Sequence, residues 1–127
     1  MNTRIREYLF LTVLLGTWTS AGCTPALPPP TDAKDARAAL ETALDSWKRG
    51  DSPQKLNERT PPIQFADLNW EKGERLLKYD VAVEEPSGLG MRITVKLSLE
   101  GKDGKRRDAT TVYTAETRPK IIIVPEF

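Results

Sequence analysis

The sequence predicts an α+β domain in which one amino-terminal amphipathic helix packs on a curved, four- to five-stranded antiparallel sheet. Three observations lead there. From Met91 to Glu100, the residues Met91, Ile93, Val95, Leu97 and Leu99 alternate without a break against Arg92, Thr94, Lys96, Ser98 and Glu100, the period of a strand with one apolar and one wet face. Such a strand requires pairing neighbours and an apolar cover on its inner face. Turn chemistry flanks it, at Pro86 to Gly90 and again at Gly101 to Lys105, and one convincing helical period lies upstream, ending at Gly50.

The chain of 127 residues, 29% charged and 39% apolar, has room for one small core. Its first 22 residues read as a signal peptide. Arg4 and Arg6 form a basic start, and Tyr8 to Leu15 is an apolar run broken only by Thr12. About 20 apolar residues are needed to span a bilayer, whereas a signal peptide needs about 7 to 15. Ser20, Ala21 and Gly22 then precede Cys23, the single cysteine of the chain.

These four residues resemble the lipobox of bacterial lipoproteins, with Ala21, Gly22 and Cys23 on the pattern and Ser20 where leucine is usual. The resemblance implies acylation of Cys23 and a membrane partner reached through its acyl chains, each buried methylene contributing about 0.8 kcal/mol. The alternative is an ordinary secretory signal cut near Ala21 or Ala26, with Cys23 incidental; either way the mature protein is expected outside the cytoplasm, in the cell envelope, the periplasm or the medium. One cysteine forms no internal disulfide, so the domain relies on packing.

Residues 23–31 hold Pro25, Pro28, Pro29 and Pro30 and read as a short polyproline stalk, and residues 32–127 as a single domain. Thr31 or Asp32 can cap the helix, whose apolar positions Ala36, Leu40, Ala43, Leu44 and Trp47 recur at helical spacing before Lys48, Arg49 and Gly50 end it. Asp51 to Arg59 offers a turn of helix, with only Leu56 to bury. Thr60-Pro61-Pro62 forces extension into a short edge strand at Ile63 and Phe65, and Asp67 to Gly73 gives one further helical turn around Trp70.

Leu77, Tyr79, Val81 and Val83 alternate as the strand that leads into Pro86 to Gly90. That glycine pair is no phosphate loop: the third glycine of a dinucleotide fingerprint would fall at Ile93, and a strand follows where a helix is required. Beyond the second turn, Ala109, Thr111, Tyr113 and Ala115 share one face of a threonine-rich strand. Ile121 to Val124, four consecutive branched apolar residues, predict a last strand buried on both faces, or one whose outer face is covered by the helix region or a partner, with Pro119, Lys120, Pro125 and Glu126 flanking it as gatekeepers.

The order of a helix before a hairpin-linked meander, with Trp70, Gly73 and Tyr79 ahead of it, resembles the cystatin-like and nuclear-transport-factor-like folds and small envelope lipoproteins of bacteria. Some members of those folds enclose a pocket, and this implies an expectation for Trp47, Trp70, Tyr79 and Tyr113 as lining residues or a partner surface, against the plainer reading as core. Catalysis has little to work with. The chain has no histidine, Cys23 is committed to the anchor, and Glu84 and Glu85 are adjacent on a strand and point to opposite faces. No catalytic residue, metal site or cofactor is expected. Of 19 basic and 18 acidic residues, Arg4, Arg6 and Glu7 precede Cys23, which leaves the signs balanced afterwards and argues against a nucleic-acid or an anionic-membrane surface, since both need a net basic field. The basic run Lys102, Lys105, Arg106 and Arg107 carries Asp103 and Asp108 within it and reads as a solvated hairpin tip. The expected function is a non-enzymatic envelope domain presenting a protein-binding or scaffolding surface; a small-ligand carrier or an acid–base enzyme using a pocket in the sheet is the alternative.

Overall fold

The computed structural model describes Gly22 and residues 30–127. Arg4, Arg6, Ser20, Ala21, Cys23 and most of the stalk lie outside the described residues. Helix α1 (Ala33–Lys48) is followed by a 3-10 turn (Pro53–Glu58), strand β1 (Ile63–Phe65), the short helix α2 (Leu68–Glu71) and strands β2 (Arg75–Ser87), β3 (Gly90–Glu100), β4 (Arg106–Glu116) and β5 (Ile121–Pro125). Helix α1 therefore begins at Ala33 and is not amino-terminal in the chain. Asp32 accepts hydrogen bonds from the amides of Lys34 (2.8 Å) and Asp35 (3.4 Å) at its start. At its end Gly50 takes φ +83° while its amide bonds the Trp47 carbonyl and that of Asp51 bonds Ser46, a Schellman closure.

The five strands form one open sheet in the order β1-β5-β4-β3-β2. Strands β2 to β5 are antiparallel in sequence, but β1 pairs parallel with β5, Ile63 opposite Ile121 and Phe65 opposite Ile123. The sheet is thus mixed, which corrects the antiparallel expectation. Hairpin turns dictate direction only between consecutive strands, whereas β1 meets β5 across the rest of the domain, and no local pattern records the direction of that pair.

Strand β3 follows its alternation throughout: Met91, Ile93, Val95, Leu97 and Leu99 are all buried, and α1 covers them with Ala36, Ala39, Leu40, Ala43, Leu44 and Trp47. The alanines let helix and sheet approach closely. Strand β2 departs from its predicted face. Irregularities between Leu76 and Lys78 and between Val81 and Val83 each insert a residue, and an inserted residue reverses the side-chain phase. Leu76, in place of Leu77, is therefore buried opposite Leu99, and Val83 stands 50% exposed opposite Thr94 on the outer face. The second shift also turns Glu84 toward α1, where its carboxylate lies 3.2 Å from Arg37, while Glu85 meets Arg92 at 3.0 Å on the other side.

Strand β5 is buried on one face only. Ile123 is inaccessible, Ile121 and Ile122 are partly buried, and Val124 is exposed, because nothing among the described residues covers the outer side of the sheet. At the β2–β3 turn Gly88 has φ +58° and Leu89 does not share it, as a type II′ hairpin requires. Gly90 serves a different need: a Cβ there would lie 2.8 Å from the Ala115 carbonyl oxygen. On the outer face Arg92 holds both carboxylate oxygens of Glu126 at 2.7 to 3.0 Å and Thr114 donates a further bond, tying the end of the chain across the sheet. These bonds, Arg92's first, hold the Glu126 carboxyl below its usual range.

Ile93→Ala or Leu97→Ala is expected to cost about 2–5 kcal/mol in urea denaturation, since each opens a cavity under α1. Thr94→Ala, one residue away on the outer face, is expected to change stability by no more than about 0.5 kcal/mol. Equal losses at Thr94 and Ile93 would contradict one-sided burial.

Candidate functional site

The four aromatic residues singled out by sequence do not share a pocket. Trp47 and Trp70 stack at 5.6 Å between centroids and 9° between planes. Phe65 packs on Trp70 at 5.7 Å and on Tyr113 at 5.4 Å, so three of the four belong to one closed aromatic cluster at an end of the core. Each indole nitrogen is satisfied by a backbone carbonyl, Trp47 by Glu74 at 2.8 Å and Trp70 by Asp51 at 3.0 Å. Tyr79 stands apart, on β2, where its hydroxyl donates to Asp45 at 2.8 Å and the Lys48 ammonium lies 5.8 Å from its ring. Partial burial, then the Asp45 carboxylate, push its pKa up to about 12.

Asp67 organises this cluster. One of its oxygens caps α2 by accepting from the amides of Asn69 (2.8 Å) and Trp70 (3.3 Å); the other accepts the Tyr113 hydroxyl at 2.5 Å. Arg107 bonds Glu74 at 2.6 Å and Asn69 at 2.9 Å, so part of the basic run read as a solvated tip in fact clamps α2 to the sheet. The acid and phenol are the sort of pair that acid–base chemistry uses. Tyr113 is fully inaccessible, however, and Asp67 is 4% exposed, so a substrate has no approach to either. Burial, reinforced by the Asp67 charge, pushes the Tyr113 phenol far up. Asp67 is legible in sequence as a cap; its bond to Tyr113 is not.

Open surface occurs elsewhere. A shallow cleft of about 420 Å³ crosses the outer face, bordered by Lys78, Asp80, Lys96, Ser98, Asp108 and Thr110, with both signs of charge mixed. A larger groove of about 540 Å³ runs between α1 and the β1–β5 edge. Its apolar surface comes from Ala38, Ile121 and the rings of Pro61, Pro62 and Pro119 over a floor of buried Ala39 and Ile63, and its charge from Arg59, Arg118 and Lys120, with Asp35 on the helix side. The parallel pairing builds it. With Ile63 beside Ile121, the segments entering the two strands, 59–62 and 117–120, run to the same end of the sheet.

The two arginines of this groove are distinctive in lacking carboxylate partners among the described residues. Among the described arginines Arg37, Arg49, Arg75, Arg92, Arg106 and Arg107 each have a carboxylate within 4 Å. Only Arg59 and Arg118 do not, and both border the groove. The sequence reading missed them. The available signal was that residues 59–65 and 117–124 are two proline-containing, acid-free stretches with basic residues at their starts. Comparison of the chain with protein-family models, with curated proteins and with solved structures finds no match.

Tyr113→Phe is expected to cost about 1–3 kcal/mol at neutral pH by leaving a buried carboxylate oxygen without its donor. Alkali gives a second reading. An unfolded tyrosine releases its proton near pH 10 while buried Tyr113 keeps it, so above about pH 10 the unfolded state binds fewer protons. The Tyr113 contribution to stability is therefore whole below that pH and falls as pH rises. Urea midpoints measured from pH 8 to pH 11 are expected to fall less steeply in Tyr113→Phe than in the unmodified protein, with Tyr79 supplying part of the residual slope.

Proposed function

We propose that the mature protein is an exported, non-enzymatic binding domain of a bacterial cell envelope, anchored through acyl chains on Cys23 and presenting the groove between α1 and the β1–β5 edge. One contrast carries the binding reading. The acid–phenol pair is sealed in the core, while the open groove has two arginines free of carboxylate partners. Preformed clefts of roughly 300–1,000 Å³, apolar with a few placed polar groups, are typical of small-molecule sites. The groove volume of about 540 Å³ favours the carrier form of the proposal over a flat scaffolding surface.

The anchoring half rests on Ser20, Ala21, Gly22 and Cys23 and on the way the chain enters the domain. Thr31 donates its amide to the Leu89 carbonyl at 2.8 Å and accepts the Thr117 amide on its hydroxyl at 3.1 Å. The folded unit is thus gripped at residue 31, next to the β2–β3 turn and the β4–β5 connection. At no more than about 3.6 Å per residue, the path from Cys23 to Thr31 reaches on the order of 30 Å, which would keep the domain close to the bilayer. The likeness to cystatin-like and nuclear-transport-factor-like folds belongs to the same reading, supported by α1 lying across the β2–β3–β4 meander.

Intact mass and amino-terminal peptide mapping of the protein from its native host test this reading. The expected chain begins at Cys23 with the added mass of two or three acyl groups and partitions with membranes. Cys23→Ser is expected to abolish that partitioning. An uncleaved chain, or one starting at an unmodified residue, would remove the anchor from the proposal.

A further inference from the structure

We propose that the groove binds an anionic phospholipid, its phosphate held by Arg59, Arg118 and Lys120 and an acyl segment laid along Ala38, Ile121 and the proline rings; this rests on the reading of the chain as a membrane-anchored envelope domain. Charge complementarity is the first argument. Elsewhere on the described surface arginine is paired with a carboxylate, so two unpaired guanidinium groups and an ammonium at one groove leave a local positive field in an otherwise balanced domain. Guanidinium groups match the oxygens of a phosphate in bidentate geometry. Asp35, the acid on the opposite wall, stands in the first turn of α1, where the helix dipole favours it.

The walls decide between a lipid and an acidic peptide. A peptide lying along a sheet edge takes main-chain hydrogen bonds from it. Here Pro61, Pro62 and Pro119 line the groove, and proline has no N–H to give. What these rings offer instead is apolar surface, continuous with the side chains of Ala38 and Ile121, and this suits an acyl chain. Thr117, on the same wall, carries a buried hydroxyl oxygen with no hydrogen-bond partner, the one such side-chain atom among the described residues. A small shift of the 117–120 segment around a bound phosphate would give that hydroxyl an acceptor.

Position supplies the third argument. Thr117 bonds Thr31, the residue at which the tether enters, so Arg118 and Lys120 lie by the tethered end of the domain. Leu89, whose carbonyl also holds Thr31, is 43% exposed at the neighbouring turn. A cationic, partly apolar end held within reach of a bilayer is placed to meet anionic headgroups, whose attraction for basic side chains falls off within a Debye length of the surface.

Isotope-labelled full-length protein, as processed by its host and held in zwitterionic bicelles, is titrated with dihexanoyl-phosphatidylglycerol while backbone amide shifts are followed. Saturable shifts at Gln64, Thr117 and Ile121 are expected, absent when dihexanoyl-phosphatidylcholine is added instead. In the Arg59→Ala/Arg118→Ala double variant the apparent Kd is expected to weaken at least tenfold while the remaining amide shifts stay in place, reporting an intact fold. No saturable shift, equal shifts with the zwitterionic lipid, or unchanged affinity in the double variant would overturn the proposal. So would saturation of the same amides by a soluble oligoglutamate peptide in place of the lipid. The intact mass of the same sample separates the two readings: acylated Cys23 with a silent groove removes the lipid site alone, and unmodified Cys23 removes the anchor while the titration still decides the site.

Discussion

The inner face of β3 lies beneath α1, and the fold depends on that contact. Five apolar side chains of one strand, Met91 to Leu99, project to one side, and a helix stripe rich in alanine seals them from water. Burial of this kind contributes roughly 1.5–3 kcal/mol for each large side chain. The closeness of helix and sheet also places the aromatic end of the core. Because α1 is close, Trp47 at its end reaches the stack with Trp70, and that stack positions α2 so that the carboxylate capping it meets the Tyr113 hydroxyl from β4. The polar pair is held by the apolar packing around it, and every donor in the cluster has an acceptor, which is the condition for burying such groups at modest cost.

The two irregularities of β2 show how an edge strand is adjusted to this core. A regular strand would carry Val83 inward. The second shift instead presents Glu84 to Arg37 on the helix and leaves Val83 in solvent opposite Thr94. Tyr79 sits between the shifts and reaches Asp45, so β2 is tied to α1 by polar contacts at the margin of the core. These exposed pairs orient the strand more than they stabilise it, since surface ion pairs contribute little.

At the other edge, direction matters more than side-chain pattern. Had β1 run antiparallel to β5, Arg59 and Arg118 would have been carried to opposite ends of the sheet. The parallel register brings both basic, proline-containing segments beside the exposed side of α1. The same pairing leaves Gln64, Ile122 and Val124 on a face that no described segment covers.

Local periodicity was enough for α1 from Asp32 to Gly50, for the alternation of β3, for both hairpin turns and for the inward face of β4, because capping groups, turn glycines and a period of two act within a few residues of one another. It misassigned Leu77 and Val83, since a bulge shifts phase without a marker in the residues themselves, and it overstated the burial of β5, whose outer face no segment among the described residues covers. Tyr113 was recognised as an inward residue but not as the partner of Asp67, 46 positions away. By itself the sequence determined the α+β class, with a helix to lie on a sheet, and the absence of histidine from the chain. Tertiary structure alone decided that Trp47, Trp70 and Tyr113 close on one another and that Arg59 and Arg118 share a groove, because both depend on pairings between segments far apart in the chain, whose direction and register no local pattern encodes.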